Sequence, residues 1–177
     1  MFAQAVKNSA FHIQNYALRI TNHALQKGAA MKNNVNIKLL NPSAKIPVYG
    51  SEFSAGADLY ACLDEAVNIA PGEAFLFHTG LALEIPEGCA GLVFARSGLA
   101  SKKGLAPSNK VGVIDCDYRG ELMVPLYNQS KEVQTVEPGE RIAQLVLTPY
   151  ITADWNVVDK LNSTERGEGG FGSTGSH

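Results

Sequence analysis

Residues 111–121 read VGVIDCDYRGE, and the folding of this stretch decides how the rest of the chain is arranged. Val111, Val113 and Ile114 have the apolar, β-branched character of buried strand, and Asp115 and Asp117 stand as acids at its end. Arg119-Gly120 then turns the chain into a second strand-like run over residues 121–127. The expected unit is a β-hairpin with chemistry at its bend. Taken alone, the stretch reads rather as a plain hairpin with solvated acids and a half-buried Tyr118, because acids at turns are common.

Outward from this stretch the same style repeats. Val35, Ile37 and Leu39 alternate with Asn36 and Lys38 before Pro42, so the folded domain begins near Met31. Short apolar runs follow at 74–78, 81–85, 92–95, 122–127 and 142–147, separated by Pro71-Gly72, Pro86-Glu87-Gly88 and Pro138-Gly139. Many short strands with almost no helix predict an all-β sandwich, jelly roll or barrel. The exception is RSGLASKKG at 96–104, which predicts one short helix with Ser97 as N-cap and Gly104 as terminator. Free N–H groups at its start, beside Arg96, suit an anion, although an ordinary capped connector has the same sequence.

The two ends differ from the middle. Residues 1–30 contain no acid, carry Lys7, Arg19 and Lys27, and space Phe2, Val6, Ile13, Tyr16 and Ile20 in a rough helical stripe. They read either as an amphipathic presequence or as an extension without catalytic consequence. The tail at 166–177, RGEGGFGSTGSH, is Gly-rich with one aromatic. It suits either a disordered end or a flap with glycine hinges, a stacking Phe171 and a clamping Arg166.

At 177 residues and 45% hydrophobic content the chain forms one domain whose core needs no staple. A net charge of −2 argues against a nucleic-acid-binding surface, and no apolar run is long enough for a membrane span. Cys62, Cys89 and Cys116 lack the spacing of a zinc site or a disulfide framework, which fits a reducing, cytoplasmic compartment. A mitochondrial one is the alternative if residues 1–30 are a presequence.

Five stretches taken together, AGADLYA at 55–61, RSGLASKKG at 96–104, GVIDCDYRGE at 112–121, GERIAQL at 139–145 and RGEGGFGSTG at 166–175, match in order the motifs of the trimeric deoxyuridine triphosphate nucleotidohydrolases, which the chain therefore resembles. The resemblance implies a jelly-roll domain over 31–165, a C-terminal lid over 166–177 and a homotrimer with shared active sites. It also implies Mg²⁺-dependent cleavage of dUTP to dUMP and pyrophosphate, which limits uracil in DNA and supplies dUMP for thymidylate synthesis.

Residue by residue, it makes Asp115 the base that activates water against the α-phosphorus and Tyr118 the aromatic that excludes a 2′-hydroxyl. Asn109 and the strand through Val113 and Ile114 would hydrogen-bond uracil, with Met123 lining the pocket. Arg96, Ser97, Gly98 and Gln144 would hold the phosphates. Asp58 would bind Mg²⁺ through water, as suits an ion that favours oxygen ligands and keeps its waters. Arg166 would clamp the γ-phosphate, and Phe171 with Gly172 would close over the base. Two other functions compete: a dCTP deaminase on the same fold, which would lack the Gly-rich tail, and a binding module docking through residues 1–30.

Overall fold

The computed structural model describes residues 34–170; residues 1–30 and the predicted lid residues Phe171 and Gly172 lie outside the described residues. The strands in chain order are β1 (Asn36–Leu39), β2 (Val48–Tyr49), β3 (Ala57–Tyr60), β4 (Val67–Ile69), β5 (Ala74–Glu84) and β6 (Cys89–Phe94). After the helix α1 (Ser97–Lys103) come β7 (Leu105–Pro107), β8 (Gly112–Ile114), β9 (Glu121–Asn128), β10 (Gln134–Val136) and β11 (Arg141–Pro149). They form a four-stranded sheet in the order β1-β5-β9-β7, a five-stranded sheet in the order β2-β3-β11-β6-β8, and the pair β10-β4. Among the described residues this is an all-β jelly roll with one short helix, one of the three all-β folds that the strand pattern allows and the one that the resemblance implies.

Period-two alternation explains the packing. Along β9, Leu122, Val124, Leu126 and Asn128 are buried while Glu121, Met123, Pro125 and Tyr127 are only partly so. The buried set meets Phe77 of β5, Leu59 of β3, Val93 of β6 and Ile142 and Leu145 of β11 in one core between the sheets. The buried polar side chains are satisfied. Thr79 Oγ1 donates to Leu122 O at 2.5 Å, and Asn128 Nδ2 donates to Ile69 O and Glu132 O at 2.9 and 2.7 Å.

Three local expectations change. The runs at 74–78 and 81–85 are one strand, β5, interrupted by a bulge: its register with β9 shifts between His78 and Ala82, and Gly80 there has φ +69°. Glycine is the residue that takes this conformation without strain, and the bulge turns its N–H toward Glu121 Oε1 at 2.8 Å. The N-cap of α1 is Arg96, not Ser97. Its backbone is extended at φ −87°, ψ 129°, its carbonyl accepts Ala100 N–H at 3.0 Å, and Gly104 ends the helix in the left-handed region.

The largest change concerns 111–121. β8 pairs with β6 and β9 pairs with β5 and β7, so the two runs belong to opposite sheets and make no hairpin ladder with each other. Residues 115–120 carry the chain across. Val113 is consequently 62% exposed rather than buried, since β8 is the edge of its sheet, and Val111 is exposed as well.

Candidate active site

The crossing segment is held by its own groups. Tyr118 N–H donates to Asp115 O at 3.2 Å, and Arg119 Nη1 donates to Cys116 O at 2.7 Å and Tyr118 O at 2.9 Å. Tyr118 Oη donates to Glu121 O at 3.0 Å, and its ring lies so close over Gly120 that any Cβ there would collide with it. A cavity of about 270 Å³ opens at this crossing, lined by Leu76, Val113, Ile114, Asp115, Tyr118, Glu121 and Met123. The structure thus brings together Val113, Ile114, Asp115, Tyr118 and Met123 of the predicted site. β8 has a hydrogen-bonded neighbour on one side only, so its outer edge offers backbone donors and acceptors beside the cavity. Asn109 packs over the start of this edge, with Nδ2 3.4 Å from where a Cβ on Gly112 would stand.

A second cluster assembles where β3, β11 and the start of α1 meet. Asp58 is opposite Gln144 in the β3–β11 ladder, and Gln144 is opposite Phe94 in the β11–β6 ladder, two residues before Arg96. Arg96 Nε donates to Asp58 Oδ1 at 2.7 Å and Arg141 Nη1 donates to Asp58 Oδ2 at 3.1 Å, so one mostly buried carboxylate serves two guanidinium groups. Arg96 Nη1 also lies 3.5 Å from Arg141 O. Gln144 Nε2 donates to Ala95 O at 2.9 Å, fixing the turn into α1. Ser97 and Gly98 are exposed at the helix start, while Lys103 at its other end bonds Thr135 O and Glu140 Oε1 at 2.8 and 2.7 Å.

Not every predicted residue joins these clusters. Arg166 Nε donates to Gly169 O at 2.8 Å within the tail's own turn and does not line the cavity. Conversely, the cavity includes groups that sequence reasoning passed over. Glu121 Oε2 meets His78 Nδ1 at 2.8 Å, while its other oxygen receives the bulge N–H of Gly80. Partial burial raises the Glu121 pKa, but the hydrogen bonds from His78, Gly80 and Thr79 outweigh it and hold the carboxyl below its ordinary value. Arg141 sits inside the GERIAQL stretch, and the need of a buried Asp58 for two donors is the physical signal that singles it out.

A family model described as dUTPase matches residues 25–175. Curated relatives include the deoxyuridine 5′-triphosphate nucleotidohydrolases of Enterobacter sp. (strain 638), 46% identical over 150 residues covering 82% of this chain and 99% of the relative, and of Serratia proteamaculans (strain 568), 46% identical over 152 residues covering 83% and 100%. A point mutant of the Staphylococcus bacteriophage 80alpha dUTPase, solved with dUpNHpp, superposes with a TM-score of 0.72 at 33% identity, covering 81% of this chain and 99% of that one. A mutant dUTPase from phage phi11 of S. aureus, which revealed the coordination of a structural Mg(II) ion, gives a TM-score of 0.64 at 27% identity, covering 72% and 98%. With the jelly roll and the cavity already in hand, these matches show that the chain belongs to the dUTPase family and that its reaction is the hydrolysis of dUTP to dUMP.

Proposed function

We propose that the cavity at the crossing segment holds the deoxyuridine and that the Asp58–Arg96–Arg141 cluster with the start of α1 organises the triphosphate. The observation that carries this reading is Asp115 on the wall of a cavity bounded by an open strand edge on one side and Tyr118 on the other. The unpaired edge of β8 reads uracil through backbone groups, with Asn109 beside it. Cytosine lacks the N3 donor and carries an amino group where an acceptor is needed, so buried partners would be left unpaired. Tyr118, propped on Gly120 and Glu121 O, faces the deoxyribose and fills the volume of a 2′-hydroxyl. Asp115 takes a proton from the attacking water, a role typically worth ~10²–10⁴ in rate.

Arg96 has Nη2 left for phosphate once Asp58 holds its Nε, and Ser97 and Gly98 present the first N–H groups of α1. Gln144 holds this turn through Ala95 O. The donor set fits Mg²⁺ only as an outer-sphere guest. Among the described residues no three His, Cys, Asp or Glu side chains are arranged as a cage, and both Asp58 oxygens already accept from guanidinium, leaving lone pairs for metal-bound water. Asp58 would thus hold Mg²⁺ through water while phosphate oxygens ligate it directly, and the bound ion would neutralise charge on the phosphates. Arg166, Phe171 and Gly172 close over the bound nucleotide as a lid in this reading, which residues 166–177 carry as a unit.

We further propose a homotrimer with shared sites, supported by apolar side chains past β11 that the single chain leaves uncovered. Residues 1–30 act as an extension or presequence, and the compartment is cytoplasmic, or mitochondrial in the second case. No helix among the described residues is long and apolar enough to cross a membrane.

Pyrophosphate release from dUTP, dCTP, dTTP and UTP with Mg²⁺, in the intact chain and in Asp115→Asn, tests the reading. Release confined to dUTP and reduced ~10²–10⁴-fold in the variant is expected. Equal release from all four nucleotides would overturn the pocket, and turnover of dCTP to a deaminated product would favour the deaminase.

A further inference from the structure

We propose that Glu121, braced by His78 and Gly80, is a positioning residue for sugar selection: its carboxylate pins the start of β9 to β5, and its own carbonyl fixes the Tyr118 ring. This rests on the reading of Tyr118 as the side chain that faces the deoxyribose. Glu121 lines the cavity, yet both its oxygens are engaged by protein groups, so it bounds the cavity as part of its frame.

The frame has its origin in the β5 bulge. The β5–β9 ladder pairs His78 with Met123 and resumes at Ala82 with Glu121, so Thr79, Gly80 and Leu81 stand against Leu122 alone. Such a bulge leaves ladder groups without backbone partners. Two side chains take their place. Thr79 Oγ1 donates to Leu122 O at 2.5 Å, and Glu121 Oε1 accepts Gly80 N–H at 2.8 Å. Glu121 Oε2 lies 2.8 Å from His78 Nδ1, so one carboxylate holds β5 at two residues. The support itself is fixed from the far side, where Leu40 N–H donates to Gly80 O and Cys62 N–H to His78 O, each at 2.8 Å.

The backbone of Glu121 passes this fixity to the ring. Its carbonyl accepts Tyr118 Oη at 3.0 Å, the ring lies against Gly120, and Arg119 Nη1 donates to Tyr118 O at 2.9 Å. Tyr118 is 42% exposed and belongs to a crossing segment outside any ladder, so these few contacts carry its placement. An apolar wall rejects an added hydroxyl by only ~10². A ring free to tilt therefore loses much of that rejection while still covering the sugar of dUTP.

The test is KM and kcat/KM for dUTP and UTP, from pyrophosphate release with Mg²⁺, in the full chain and its variants. Glu121→Ala should raise the UTP-to-dUTP ratio of kcat/KM about 10-fold, through a lower KM for UTP rather than a higher kcat. Tyr118→Phe keeps the ring and loses the Oη bond, and should do the same. The double variant should go no further than either single change, because both break one linkage. Glu121→Gln retains an acceptor for Gly80 N–H and should restore most of the parent's selectivity. His78 is exposed and outside the cavity lining, so His78→Ala folds even where Glu121→Ala does not, and loss of that one anchor should raise the ratio about 3-fold.

An unchanged ratio in Glu121→Ala, or in His78→Ala where Glu121→Ala does not fold, overturns the proposal and leaves the reading of Tyr118 standing, provided Tyr118→Ala raises the ratio. Additive effects in the double variant overturn it too, since the carboxylate would then act apart from the ring. An unchanged ratio in Tyr118→Ala refutes the sugar-facing reading, and the proposal with it.

Discussion

At the level of single residues, two carboxylates of the proposed site each share their oxygens between two donors. Asp58 stands between Arg96 and Arg141, and neutralising it leaves two guanidinium groups converging without a counter-charge. Asp58→Asn should raise the Mg²⁺ concentration for half-maximal pyrophosphate release ~10–100-fold, the range of lost outer-shell partners, and Arg141→Gln should show a smaller rise because Arg96 remains. An unchanged Mg²⁺ requirement in Asp58→Asn would remove the metal from this residue. Glu121 works on the protein itself. Its folded-state pKa lies below the ordinary carboxylate value, so its stabilisation is complete above the ordinary carboxylate range and is lost as pH falls through the lower folded value. Glu121→Gln should cost about 1–3 kcal/mol near neutral pH and should flatten the decline of Tm below the ordinary carboxylate pKa. Thermal melts across that range check both signs.

Among the elements, the bulge in β5 links packing to the cavity. Gly80 needs φ +69°, and a Cβ there would stand 2.8 Å from Ala44 Cβ and 3.1 Å from Cys62 Sγ, while its N–H is the one that Glu121 receives. Gly80→Ala should destabilise the fold by at least ~1–2 kcal/mol from the left-handed backbone alone, read by denaturant unfolding. A stability equal to the parent's would mean that the bulge relaxes freely. This bulge also marks a limit of sequence reading. Alternation along residues 81–85 and 122–127 reveals a strand and its buried face, because side-chain burial follows the local period. It carries no information about which strand lies alongside, since pairing depends on residues far away in the chain. Hence the helix, most strands and an all-β class were legible in the pattern and the jelly roll through the ordered motifs, whereas 111–121 looked like a hairpin and crosses between sheets instead. The same applies to the site. Asp58, Arg96 and Asp115 were singled out because ordered motifs carry them, but the partnership of Glu121 with His78 arises only from the β5–β9 register, where His78 is opposite Met123.

For the whole molecule, the decisive feature is the segment after β11. Residues 151–165 form no helix or strand, yet Ile151, Trp155, Val157 and Leu161 are 95%, 92%, 96% and 81% exposed. Burying one large apolar side chain is worth roughly 1.5–3 kcal/mol, so leaving four in water forgoes a substantial stabilisation that neighbouring copies of the chain would recover. In the proposed trimer this arm lies on another copy and delivers the tail with Arg166 toward a neighbour's cavity, which agrees with Arg166 bonding, among the described residues, within its own turn. The expected outcome is a solution mass of three chains by sedimentation equilibrium. A Trp155→Ser, Val157→Ser double variant should shift that mass toward one chain upon dilution, with dUTP turnover falling in step. Circular dichroism of the diluted variant should retain the β signal, since the core between the two sheets includes neither residue. A parent chain that sediments as a monomer and turns over dUTP at full rate would sink both the trimer and the shared site, because a complete site would then exist within one chain.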